Sequence, residues 1–192
     1  MRMDTDRPER TAAVDYLRRK GTEAPASRLL GGLRSTFQKF EQAIDRAPEA
    51  SRTRRPTATS WSVQEIVDHL VETHRPAVAE LRDLLAGISP AGGPIPARLT
   101  SPNALERSWT ALTQELKRVH TNVLDVVAGA TDEAASLVAR APLVMVVKVP
   151  SETGFDVLEW VEALDWKAYA QALRVHTHEH LAQVERTLTA LR

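Results

Sequence analysis

The chain has 192 residues, enough for one well-buried core and short for two domains. Its 25 Lys+Arg balance 25 Asp+Glu, so no global field draws it to nucleic acid or to an acidic membrane, and neither is expected as a partner. It has no cysteine, which excludes disulfides, thiolate ligands and a cysteine nucleophile, so any metal must be held by imidazole and carboxylate.

The first ten residues, "MRMDTDRPER", are charged and lack the apolar stretch of a signal peptide. No apolar run approaches the ~20 residues needed to span a bilayer, and a cytoplasmic protein is expected. A short helix is predicted over roughly residues 8–20, with Pro8 in its first turn and Gly21 just past its end. It forms an N-terminal extension, residues 1–24, to a domain spanning residues 25–192. After Pro25, the stripe Leu29, Leu30, Leu33, Phe37, Phe40 and Ile44 recurs at helical spacing, and Pro48 closes it. Arg52, Arg54 and Arg55 could form a phosphate patch, but beside Pro56 a solvated loop is favoured.

In "SWSVQEIVDHL", Ser62 and Glu65 make a capping box. The helix it starts runs to Gly87, with Pro76 inside the pattern, where a kink or a missing backbone bond is expected. "SPAGGPIPA" reads as a long connection. Another helix is predicted from about Ser101 to Ala128, carrying Leu105, Trp109, Leu112, Leu116, Val119, Val123 and Val126. Residues 131–140 can add a short helical turn. The β-branched run "PLVMVVKVP", within 141–150, reads as an extended arm or one side of a hairpin. The last helix is predicted to start within residues 153–159 and to reach Leu191, with Val157, Val161, Leu164, Ala168, Ala172, His176, His180 and Leu188 on one face. Four long helices with little strand predict an all-α four-helix bundle.

Three of the six histidines fall in "RVHTHEHLAQ", and they decide the functional reading. Residues four apart on a helix differ by about 40° in azimuth and residues two apart by about 200°. His176 and His180 therefore share a face, their Cβ atoms roughly 5–6 Å apart, close enough to reach one ion. His178 points away. A third ligand must come from another helix, and His69, eight residues after Trp61 and beside the Ile66/Leu70 stripe, is the best candidate. His74 lies about 140° further round that helix, a weaker choice at the rim of the same cavity. His120 has no evident neighbour. The competing explanation is a coincidental HxxxH pair on an amphipathic helix, each ring simply hydrogen-bonded to a carbonyl.

"WSVQEIVDHL" (Trp61 to Leu70), followed far downstream by "HTHEHLAQVERTL" (His176 to Leu188), resembles the DinB-like (YfiT-like) superfamily of four-helix bundles. The resemblance spans about Arg28 to Leu191 and does not cover the N-terminal segment or "PLVMVVKVP". It implies a metal held by His69, His176 and His180, with Gln183 as the trailing glutamine; by ligand chemistry a divalent ion is expected, zinc or nickel first and iron as an alternative. It also implies enzymes of two kinds, thiol-dependent transferases and metal-dependent hydrolases, and a homodimer.

Three imidazoles leave a coordination position open, the pattern of a catalytic site. The expected activity is thiol transfer, in which a low-molecular-weight thiol deprotonated at the metal attacks a small electrophilic substrate. Hydrolysis by water activated at the ion is the alternative. Glu72 and Glu179 are candidate bases that more often serve as surface carboxylates, and His74 is a better candidate for proton transfer or ligand orientation. From another class, the chain could be a non-catalytic, metal-stabilised binding bundle. Trp160 and Trp166 could line a pocket mouth, though core or interface is the commoner use of such rings.

Overall fold

The structure is a computed structural model, and it describes residues 7–133, 137–152 and 154–192. Helix α1 (Pro8–Leu17) runs into a π turn, Arg18–Thr22, and helix α2 (Ala26–Asp45) follows. A one-turn helix α3 (Glu49–Arg52) precedes α4 (Val63–Leu85), and α5 (Trp109–Ala128) comes next. Strands β1 (Ala141–Ser151) and β2 (Gly154–Leu164) then form an antiparallel hairpin, and α6 (Trp166–Ala190) ends the chain. Helix α4 packs on α5 and α6, and α2 packs on the same two, so the bundle has α2 and α4 on one diagonal. The expected all-α four-helix bundle with its extra N-terminal helix is observed, and the extended segment expected around 141–150 is the first strand of a hairpin that reaches Leu164. Among the described residues no helix is long and apolar enough to cross a membrane.

Local sequence explains where α4 begins. The Ser62 side chain accepts from the Glu65 amide, while Glu65 Oε2 accepts from the Ser62 amide at 2.9 Å, completing the predicted box. Pro76 lies within an unbroken helical span, where its missing N–H leaves the Glu72 carbonyl without the usual partner.

Three boundaries differ from expectation. The last helix starts at Trp166, not within 153–159. Val157 and Val161 share a face at i, i+4 in a helix, but they also share one in a strand, and here both lie exposed on the outer face of β2. Leu158 and Leu164, on the opposite face, are buried. The helix begins where a capping side chain exists: Asp165 accepts from the amides of Lys167 at 2.9 Å and Ala168 at 3.0 Å. Helix α5 starts at Trp109, capped by Ser108, and Leu105 is 41% exposed in the preceding loop rather than part of the stripe. Gly21 lies inside the π turn instead of ending a helix. A Cβ there would sit 2.6 Å from Ala168 Cα, so the residue serves close backbone approach to α6. The turn expected within 131–140 falls partly on residues 134–136, outside the described residues.

The core consists of two apolar blocks. One holds Phe40, Ile66, Leu70, Leu112, Leu116 and Val184. The other holds Phe37, Leu81, Val123, Leu164, Trp166 and Tyr169, beside the hairpin. On α4 the change from one to the other falls between Val71 and Ala77, where Thr73 and His74 are buried. On α6 it falls between Leu173 and Val184, where His176, Thr177 and His180 occur. A polar layer thus separates the blocks.

Candidate metal centre

The layer brings His69, His176 and His180 together. His176 Nε2 is 3.0 Å from His69 Nε2 and 3.0 Å from His180 Nε2. One ligand atom from each residue lies within 4.8 Å of the others, His69 buried and the α6 pair partly so. His178 is exposed, as its azimuth requires.

Each ring is oriented from behind. His69 Nδ1 donates to the Leu99 carbonyl at 2.8 Å, which can only accept. His180 Nδ1 donates to Gln183 Oε1 at 2.8 Å. These two rings, when neutral, therefore present lone pairs at Nε2, both directed to His176. His176 Nδ1 meets His74 Nε2 at 3.2 Å. Burial pushes all three rings below the ordinary imidazole range, His176 well below it with its neighbours adding, and His180 to about 4. Neutral imidazoles are the form that binds metals.

A single N–H at His176 Nε2 cannot satisfy both facing lone pairs well, whereas one cation satisfies all three. At the ~2.0–2.1 Å of zinc–nitrogen bonds, tetrahedral ligand nitrogens stand about 3.3 Å apart; the two separations to His176 are 3.0 Å, and all three ligand atoms lie within 4.8 Å of one another. The donor set fits a divalent cation with at least one position left open.

The Leu99 carbonyl is itself held in place. Asp68, fully buried, accepts from the Ser101 amide at 2.7 Å, from Ser101 Oγ at 2.7 Å and from Arg107 Nη1 at 2.7 Å. This pins the loop before α5 against α4, next to the residue whose ring the loop orients. Trp61 packs on the site from outside, its ring 4.9 Å from His69 and 6.2 Å from His180. It also lines a cleft of about 310 Å³ with Arg55, Thr100, Ser101 and Asn103. The motif spacing marks Trp61 in the sequence, but nothing there identified Asp68 or Leu99 with the site.

Other candidates fall elsewhere. Glu72 is engaged by Arg75 and Arg107, and Glu179 is exposed on α6. Trp166 is fully buried in the core, and Trp160 lies on the hairpin under the Arg10 guanidinium, 5.8 Å from its ring centre. Neither lines the cleft at Trp61. His120, which lacked a neighbour in the sequence pattern, is buried against Phe37 and bonded to Glu41.

The fold and this cluster define a histidine-bearing four-helix bundle, and the chain belongs to the DinB superfamily, whose family model matches residues 33–184. It is similar to the solved structure of YfiT from Bacillus subtilis, described as "a probable metal-dependent hydrolase with an unusual four-helix bundle topology". That likeness has a TM-score of 0.64 at 15% identity and covers 84% of this chain and 85% of that one. No curated protein matches the chain.

Proposed function

We propose that the protein is a metal-dependent enzyme in which Nε2 of His69, His176 and His180 hold one divalent cation that activates a small nucleophile. The observation that carries this is the pair of lone pairs, from His69 and His180, aimed at His176 Nε2 from 3.0 Å. Nitrogen donors suit zinc or nickel, and iron after them. The ion supplies Lewis acidity at its open position, lowering the pKa of a bound water toward ~7 or deprotonating a thiol. The chain orients the three rings through Leu99, Gln183 and His74, and it offers the Trp61-lined cleft for a small substrate.

Hydrolysis is the leading activity, in keeping with the description of YfiT. Thiol transfer, with a low-molecular-weight thiol as co-substrate, is the second. The absence of cysteine in the chain favours it, since the sulfur must then come with a ligand. So does the engagement of Glu72 by two arginines, because a thiol needs no strong base once bound.

The test is metal analysis of protein purified without a His tag and without nickel resin, followed by assays with ester, amide and thiol-plus-electrophile substrates. One equivalent of ion is expected in the wild type, with binding weakened more than about 100-fold in His176→Ala. Activity in any assay should follow metal content. Wild-type protein that takes up no zinc or nickel overturns the proposal. Stoichiometric metal with no activity, and several kcal/mol of stability lost on its removal, would make the ion structural.

A further inference from the structure

Two buried nitrogens outside the three-ring cluster have no hydrogen-bond partner among the described residues: His74 Nδ1 on α4 and His120 Nε2 on α5. Both residues are buried, at 0% and 1% exposure, and their ring centroids are 5.8 Å apart. Phe37 stacks on the face of His120 at 3.9 Å and 5° and lies 6.0 Å from His74 at a tilt of 43°, so one aromatic ring flanks both imidazoles. Buried polar atoms without partners are costly, and two on adjacent rings call for one explanation.

The direction of each bond is fixed from the two ends. His120 Nδ1 lies 2.7 Å from Glu41 Oε1, and a carboxylate only accepts, so the proton sits on Nδ1 and Nε2 is a lone pair. At the other end, an ion on His176 Nε2 leaves the His176 proton on Nδ1, where it is donated to His74 Nε2 at 3.2 Å. His74 must then carry its own proton on Nδ1. The orphan on α4 is a donor, and the orphan on α5 is an acceptor.

We propose that one buried water joins His74 Nδ1 to His120 Nε2, completing a chain from Glu41 through His120, the water and His74 to His176. The chain touches all four long helices, and every donor in it points toward Glu41. It makes His120 and Glu41 positioning residues: they act through His74 to keep the His176 Nε2 lone pair toward the cation. This rests on the three-histidine metal site proposed above. It adds a role for two residues that lie outside that site and a solvent molecule inside the core, where two polar atoms suffice to hold it.

The experiment is long-range proton–nitrogen NMR of the imidazoles in the full chain, with and without zinc, alongside zinc competition titrations. Protonated Nδ1 is expected on both His74 and His120. His120→Phe and Glu41→Leu are expected to weaken zinc binding about tenfold, as loss of a ligand's outer partner does. Glu41→Gln keeps an acceptor oxygen and is expected to bind zinc like the wild type. Protonated Nε2 on His74 or His120 in the zinc-loaded protein overturns the proposal, as does unchanged zinc affinity in both disrupting variants. Glu41 is partly exposed, so its variants keep the test open should His120→Phe fail to fold. A wild type that takes up no zinc defeats the metal site, and the tautomers then decide the chain on their own: Nδ1 protonated on both rings supports it, and Nε2 protonated on either overturns it.

Discussion

The histidine layer and the apolar block beside the hairpin both lie inside the bundle, yet they are held together by opposite means. In the block, Leu33, Leu81 and Leu84 are fully buried, and the packing among such side chains is non-directional. In the layer, nearly every atom that matters has a partner at a specified angle, from Leu99 and Gln183 behind the rings to Asp68 behind the loop. A block tolerates a change of shape if its volume is conserved, whereas a layer fails when one acceptor is lost. Substitutions in the two regions should therefore differ in kind as well as in size.

Asp68 offers the sharpest way to break this comparison, with the largest expected effect. Asp68→Ala removes the acceptor for the Ser101 amide, Ser101 Oγ and Arg107 at once. Arg107 keeps Glu72 and Glu115, which limits the damage. A loss of about 3 kcal/mol of stability is expected, at the low end for breaking a buried ion pair. Because the loop also carries the Leu99 carbonyl, zinc affinity should fall together with stability. Urea denaturation combined with zinc titration checks both. Lost stability with unchanged zinc affinity would uncouple the loop from the His69 ring.

How much of this was legible in the sequence follows from the same contrast. His69, His176 and His180 could be placed because helical periodicity puts positions i and i+4 on one face and a known motif joins the distant piece. The same i, i+4 rule misled at Val157 and Val161, since strands also return to one face every four residues, and the Asp165 cap that fixes the start of α6 was passed over. Asp68, Leu99 and the Glu41–His120 pair were out of reach for another reason. Their partners lie 33, 30 and 79 residues away, and nothing local marks an acceptor that only the packed chain brings near.

Gly21 tests the apolar block. A Cβ at this position would stand 2.6 Å from Ala168 Cα and 3.0 Å from the Lys167 carbonyl oxygen, both backbone atoms that cannot swing aside. Gly21→Ala is expected to cost about 2 kcal/mol, the usual penalty for overpacking. Zinc affinity should stay within about twofold of wild type, since this contact lies on the first turn of α6, well before His176 in the chain. A thermal melt with and without zinc separates the two quantities. A large fall in zinc affinity would mean that the N-terminal turn positions the site as well as the block.

The smallest effect concerns the start of α4, where the cap can be tuned by pH. Burial pushes the Glu65 carboxyl up, but the Arg55 guanidinium and the Ser62 amide and hydroxyl together hold it below its ordinary 4.5. A carboxyl depressed by folding contributes stability above its unfolded pKa and loses it as pH falls through the folded value. Ser62→Ala removes the acceptor for the Glu65 amide and should cost about 1 kcal/mol near neutral pH. Glu65→Gln removes the charge and with it the ion pair to Arg55, a smaller effect because Arg55 is 44% exposed and its charge is screened by solvent. The gap between wild type and Glu65→Gln should be full at pH 7 and should close as pH drops well below 4.5, as read from urea midpoints across that range. A gap that stays constant would mean that the carboxylate stabilises α4 by packing alone, and the cap would then belong with the apolar blocks.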